Sequence, residues 1–270
     1  MVYNKLLRHG IHFDSKNFFV TTSHKPDIGQ ISRAKSLSDE LGVEFLQKPE
    51  AIVASRESDY GFYYVIEKER TIIRNNSEVF FFHPSSAKMR MRNLKHGQNE
   101  YLLDALKLRG NERILDLTLG LGSDAILMGA FLTTGFIIGV ESSLHIYTIV
   151  RKGLLEYRDP SPWVEKSMKR IFPFHSDYKE YIRNVPDHCY DIIYCDPMFD
   201  HPVMSSSGLN PLRAFADYDS ITPQDVKEMK RICSGAIVFK TLAYDHLFDK
   251  IEVNRVFGSK NSGIVYGVIA

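Results

Sequence analysis

From about residue 97 onward, short runs of consecutive apolar residues alternate with stretches in which apolar positions recur every three to four residues. This is the pattern of buried parallel strands joined by amphipathic helices. It predicts strands at 113–116, 136–140, 171–174, the run ending at 195, 236–239, 253–257 and 264–269. It predicts helices at 99–108, 124–132, 144–157, 164–169, from 178, at 223–232 and near 247. Pro223 suits the first turn of its helix. The last two strands flank a Gly/Ser/Asn-rich connection, 258–263, and so read as an antiparallel hairpin at the sheet edge. Residues 18–82 follow a different rhythm. A strand at 18–22 leads to a helix carrying Ile28, Ile31, Ala34, Leu37 and Leu41, and strands at 62–66 and 79–82 flank a polar turn at 74–77. His83-Pro84-Ser85-Ser86 marks a boundary. The expectation is an α/β protein with a small α/β domain over 1–84 and, over 85–270, a doubly wound, mostly parallel seven-stranded sheet.

With 270 residues and 44% hydrophobic content, the chain can bury a full core. It has no apolar run of about 18 residues and its first ten residues are polar and basic, which predicts a soluble, cytoplasmic protein without membrane contact. Cys189, Cys195 and Cys233 show no Cys-x-x-Cys spacing, and His83, His175 and His201 are not at ligand spacing, so neither a disulfide framework nor a metal is expected. The net charge of +1 conceals a local surplus: residues 85–109 hold Lys88, Arg90, Arg92, Lys95, Lys107 and Arg109 against Glu100 and Asp104. The first four form the concentrated basic feature that a polyanion could use.

The strand–loop–helix junction Asp116-Leu117-Thr118-Leu119-Gly120-Leu121-Gly122-Ser123-Asp124 carries two glycines where a ligand can approach the backbone closely. The next strand ends in Glu141, about 20 residues on, where an acid takes ribose hydroxyls in nucleoside-binding folds. The third glycine of a dinucleotide fingerprint is missing, and Asp124 at the helix start would repel a pyrophosphate while suiting a cation. S-adenosylmethionine, with a sulfonium, an ammonium and no phosphate, is such a ligand. Asp116 can lie under its amino-acid part, with Thr118, Gly120, Gly122, Ser123 and Asp124 around the bend. Glu141 can hold the ribose, and Ser176 and Asp177 can reach the adenine edge.

After the fourth strand comes Asp196-Pro197-Met198-Phe199. A carboxylate beside an aromatic ring suits an exocyclic amine on a flat base: Asp196 and a loop carbonyl can accept its N–H protons while Phe199 stacks on the heterocycle. Asp196, Pro197 and Phe199 are therefore the candidate catalytic residues, with Asp196 also beside the cofactor's methyl group.

This run resembles the Asp/Asn-Pro-Pro-aromatic motif of class I S-adenosylmethionine-dependent amino methyltransferases. The Met variant is similar to the RsmJ-like small-subunit ribosomal RNA guanine-N2 methyltransferases. Residues 119–125, Glu141-Ser142 and Val238-Phe239-Lys240 resemble that family's cofactor loop, ribose contact and fifth-strand end. The resemblance spans roughly 85–270 and implies methyl transfer to guanine N2 in ribosomal RNA. Lys88, Arg90, Arg92, Lys95, Arg213 and Lys240 are the candidate phosphate contacts. Other readings of the same residues are methylation of DNA adenine or of a small amine, and a catalytically idle RNA-binding module. A dinucleotide oxidoreductase is disfavoured by the missing glycine and by Asp124.

Overall fold

Phe81 closes the first of two structural units, Met1–Phe81, and Phe82 begins the second, Phe82–Ala270. The computed structural model describes residues 18–55, 61–75, 78–197, 221–259 and 263–270, and elements are numbered over these.

In the first unit, β1 (Val20–Thr22) leads through α1 (Ile28–Leu41) and α2 (Lys48–Ala54) to β2 (Tyr63–Ile66), β3 (Thr71–Arg74) and β4 (Val79–Phe81). The sheet order is β1-β2-β3-β4, with β1 and β2 parallel and the other pairs antiparallel. α1 begins where the sequence provides a reciprocal cap: Asp27 accepts the Gln30 N–H at 2.7 Å while Gln30 Oε1 accepts the Asp27 N–H at 3.2 Å. It ends at Gly42 in the left-handed region, φ 66°. The Phe19 and Tyr63 rings stack at 4.9 Å and those of Phe18 and Phe62 at 5.1 Å, which fills the core beneath β1 and β2. Two elements were not legible in the sequence. β3 is a four-residue strand created by a tight turn at Glu67–Arg70, where the Glu67 N–H reaches the Arg70 carbonyl at 2.9 Å; α2 has only seven residues. Neither is long enough to display a period.

The second unit opens with α3 (Ser85–Lys95) and α4 (Tyr101–Leu106). It then alternates β5 (Arg113–Asp116), α5 (Ser123–Gly129), β6 (Phe136–Glu141), α6 (Leu144–Glu156), α7 (Pro162–Met168), β7 (Ile171–His175), α8 (Tyr178–Arg183) and β8 (Tyr190–Cys195). After α9 (Pro223–Ile232) come β9 (Cys233–Leu242), α10 (Leu247–Lys250), β10 (Arg255–Gly258) and β11 (Ile264–Ile269). The alternating pattern therefore folds as read, while α3, hidden in the basic stretch, is an addition. Ala87 and Met91, four residues apart, give it a buried stripe inside an otherwise polar segment.

The seven strands run β10-β11-β9-β8-β5-β6-β7, all parallel except β11, which is antiparallel to both neighbours. Ile114 and Leu115 of β5 and Ile192 to Cys195 of β8 are all buried, the continuous apolar run of strands covered on both faces. α9 buries Val226, Met229 and Ile232 against this sheet, and its start is fixed by a capping box between Thr222 and Asp225. The chain leaves β5 toward β6, whereas β8 pairs on the other side of β5. The carboxyl ends of β5 and β8 consequently border a topological switch point, the place where open α/β sheets bind ligands.

Candidate active site

Asp116, the last residue of β5, is 1% exposed, and Asp196 directly follows β8. Thr118 ties the two together. Its N–H donates to Asp116 Oδ1 at 3.1 Å, and its hydroxyl oxygen accepts the Asp196 N–H at 2.7 Å. The loop after β5 is stitched to both flanking strands, Leu117 N–H to the Tyr194 carbonyl and Leu119 N–H to the Val140 carbonyl, each at 2.9 Å. It then bends through Gly120 (φ 49°) and Gly122 (φ 71°), left-handed conformations that glycine adopts without steric cost.

Glu141 anchors this bend from the neighbouring strand. One carboxylate oxygen accepts the Gly120 N–H and the other the Ser143 N–H, both at 2.9 Å. The end of β7 lies alongside, since Glu141 is the register partner of His175. His175 Nε2 is 3.0 Å from the Ser142 carbonyl, which can only accept, so this nitrogen carries the proton. Ser176 Oγ donates to the Asp177 carbonyl at 2.9 Å, and Asp177 caps α8 by accepting the Glu180 N–H at 2.9 Å. The fold thus gathers Asp116, Thr118, Gly120, Gly122, Ser123, Asp124, Glu141, Ser142, Ser176, Asp177 and Asp196 along one edge of the sheet.

A network of charged groups lies beside these residues. Asp124 Oδ2 accepts Lys240 Nζ at 3.0 Å and the Tyr194 hydroxyl at 2.9 Å, while Asp124 Oδ1 pairs with Arg90. Arg90 forks onto Glu100 at 2.5 and 2.9 Å and also reaches the Tyr266 hydroxyl at 3.3 Å. Lys240 Nζ donates at 2.7 Å to Asp196 Oδ2. Asp196 Oδ1 is buried and has no hydrogen-bond partner among the described residues.

The acids Asp116, Asp124, Asp196 and Glu100 outnumber the cations Arg90 and Lys240, and the carboxylates divide accordingly. Burial pushes Asp116 well above the usual carboxylate range, with Asp124 and Asp196 nearby adding to the rise. Burial opposes the charge of Asp124 too, but Lys240 and Arg90 together hold it well below that range. Asp196 shares Lys240 and gains a further pull from Arg90, but burial and the nearby Asp124 charge leave it raised. Burial likewise opposes the charges of Lys240 and Arg90, which Asp124 restores, keeping both protonated.

Several residues assigned from the sequence to phosphate contact are engaged elsewhere. Arg90 and Lys240 lie in the network just described, with side chains only 18% and 15% exposed. Lys88 pairs at 2.7 Å with the fully buried carboxylate of Asp159. Arg92 and Lys95 remain exposed in the last turn of α3. Pro197 is half-buried next to Asp196, whereas Met198, Phe199 and Arg213 lie outside the described residues. Glu100, Tyr194 and Tyr266 were not foreseen. Tyr194 and Tyr266 read as strand-forming core positions, and no local signal marks a hydroxyl that will meet a carboxylate 70 positions away.

A cavity of about 550 Å³ lined by Arg109, Asp191, Ser234, Asn254 and Arg255 lies at the amino ends of the parallel strands, the edge opposite this crevice. Among the described residues no group of three or more His, Cys, Asp or Glu side chains could hold a metal ion, and no helix is long and apolar enough to cross a membrane.

Residues 55–217 match the family described as "Putative SAM-dependent methyltransferase". Over 256 residues the chain is 34% identical to YpiP of Bacillus subtilis, a protein described as uncharacterized, covering 93% of this chain and 98% of that one. It is 27% identical over 179 residues to ribosomal RNA small subunit methyltransferase J of Bdellovibrio bacteriovorus, covering 64% of this chain and 66% of that one. A crystal structure of a SAM-dependent methyltransferase from Neisseria gonorrhoeae superposes with a TM-score of 0.60 at 14% identity, covering 92% of this chain and 93% of that one. At that identity the likeness speaks for the fold.

Proposed function

We propose, from the premise that this chain belongs to the SAM-dependent methyltransferase family, that it methylates an exocyclic amine of a nucleic-acid base, and that the target is guanine N2 in ribosomal RNA. The observation that carries the choice of an amine is Asp196 Oδ1, a buried carboxylate oxygen without a partner among the described residues, at the carboxyl end of β8. A buried acceptor left unpaired is costly unless a ligand supplies the donor.

The cofactor is S-adenosylmethionine, and the crevice suits it: acids outnumber cations around a bend with two positive-φ glycines. Asp116 would hold its ammonium, Gly120 and Gly122 would admit its body, and Glu141 with Ser142 would take the ribose hydroxyls. Ser176 and Asp177 would meet the adenine. The bound cofactor supplies an electrophilic methyl carbon on a sulfonium. The chain's own task is then orientation. An amine conjugated to a heterocycle is a weak nucleophile because its lone pair is delocalised, so Asp196 must hold an N–H and turn that pair out of the ring plane. Positioning of this kind can be worth effective molarities on the order of 10⁵ to 10⁸ M. Asp196 is also the acceptor for the proton the nitrogen sheds.

RNA as the substrate is supported by the name of the Bdellovibrio relative and by Arg92 and Lys95, two exposed cations on α3. The test is to incubate the protein with tritium-labelled methyl donor and separate preparations of small-subunit RNA, large-subunit RNA, transfer RNA, DNA and free nucleosides, then to map the labelled nucleoside. N2-methylguanosine in small-subunit RNA is expected. Label confined to DNA adenine or free amines would overturn the RNA reading, and no label on any nitrogen would overturn the amine.

A further inference from the structure

The crevice uses Lys240 in a way that no phosphate contact would require. Its stem is fixed within β9, where Lys240 is the register partner of Tyr266 on β11, and its ammonium is drawn inward to two carboxylates. Two of its three donors are spent, one on Asp124 Oδ2 and one on Asp196 Oδ2. On Asp196 this leaves Oδ1 without a partner among the described residues.

We propose that Lys240 is a positioning residue for methyl transfer: by holding Asp196 Oδ2 it presents Oδ1 to the incoming amine and keeps Asp196 ionised, able to accept rather than donate. The proposal rests on the reading of Asp196 given above. Of the other elements around Asp196, α3 alone brings a second cation, and it is bonded elsewhere. Asp124 on α5 brings like charge, Asp116 on β5 brings a buried carboxyl that itself resists ionisation, and Tyr194 on β8 and Tyr266 on β11 bring only hydroxyls; Arg90 on α3 supports the ionised form of Asp196 but bonds to Asp124 and Glu100. Without Lys240, burial and the nearby carboxylates would favour a protonated Asp196. A protonated carboxyl would present a donor to a nitrogen that itself needs acceptors. In the transfer, the amine lone pair forms the new N–C bond as the S–C bond breaks with its electrons left on sulfur. The N–H proton passes to Asp196 Oδ1 and on to water, while Lys240 keeps its charge throughout.

Two variants with opposite expected signs test this. The ionisation of Asp196 is followed by carbon-13 carboxyl NMR of the cofactor-free protein, the resonance being identified by its loss in Asp196→Ala. In Lys240→Met the Asp196 titration should move up by about one pH unit or more. The acidic limb of the transfer-rate profile should follow it, with cofactor affinity within about threefold of wild type and Lys240→Arg restoring much of the titration shift. In Asp124→Asn, which removes a neighbouring charge and frees Lys240 for Asp196 alone, the titration should move down. Shifts of the same sign in both variants, or an unmoved titration in a folded Lys240→Met, would overturn the proposal. If Lys240→Met does not fold, the direction in Asp124→Asn decides. A wild-type protein that methylates no amine defeats the functional reading, and the NMR titration still reports on the coupling. An active wild type with an unmoved titration defeats the positioning role alone.

Discussion

At Asp196 the two oxygens of one carboxylate have different fates, Oδ2 on Lys240 and Oδ1 without a described partner. Such asymmetry needs a neighbourhood in which single charges decide protonation, and a second residue of this unit shows how strong burial is. His145, 8% exposed on α6, is held neutral by burial, with the nearby His175 ring acting in the same direction, its pKa pushed down to about 4. The unfolded chain takes up a proton on this residue near pH 6.5 and the folded protein does not, so the unfolded state gains protons first as pH falls. Stability contributed by the neutral ring is complete above about pH 6.5 and is lost on descending to about pH 4, by up to about 3 kcal/mol. Thermal unfolding followed across that window should show a shallower pH dependence in His145→Gln than in wild type. An unchanged slope would show that the ring is not held neutral.

At the scale of elements, the bend between β5 and α5 is where backbone geometry and ligand access meet. Gly122 caps α5 at φ 71°, and a Cβ there would meet nothing closer than Leu119 Cδ1 and Val150 Cγ1 at 3.8 Å. The cost of Gly122→Ala is therefore conformational, not steric crowding, and amounts to about 1–2 kcal/mol. Calorimetry should record a melting temperature lower by a few degrees, together with weaker cofactor binding as the bend shifts. A variant with unchanged melting temperature would show that the left-handed cap carries no such cost. This bend was legible in the sequence because glycine spacing after an apolar run is local information. So were β5, α9 and β11, whose predicted limits coincide with the observed ones. α3 was not, since its buried stripe is narrow and its charges dominate the composition. The pairing of Arg90, Asp124 and Lys240 was illegible for a different reason. It joins residues separated by 34 and 116 positions, and the sequence assigns Asp124 to the cofactor and Arg90 and Lys240 to phosphate with nothing local to pair them.

For the whole molecule, the charge surplus read from the sequence is redistributed by folding. Of the four basic side chains on α3, Lys88 and Arg90 neutralise buried acids, and Arg92 with Lys95 faces solvent. If both exposed cations meet phosphates of single-stranded RNA, replacing them with alanine should lessen the dependence of log affinity on log salt by about 1.4, at roughly 0.7 per contact. Filter binding over a salt series reads this directly, and an unaltered slope would exclude them from the RNA path. The opposite edge of the sheet carries its own cavity and cations, but the switch point, the glycine bend and the carboxylates all fall on the carboxyl edge. On that edge the decisive variant is Asp196→Ala, with cofactor affinity read by calorimetry and methyl transfer to RNA by label incorporation. Affinity within about threefold of wild type is expected, with transfer reduced by about 10²-fold or more. Transfer at the wild-type rate in this variant would contradict the role given to Asp196.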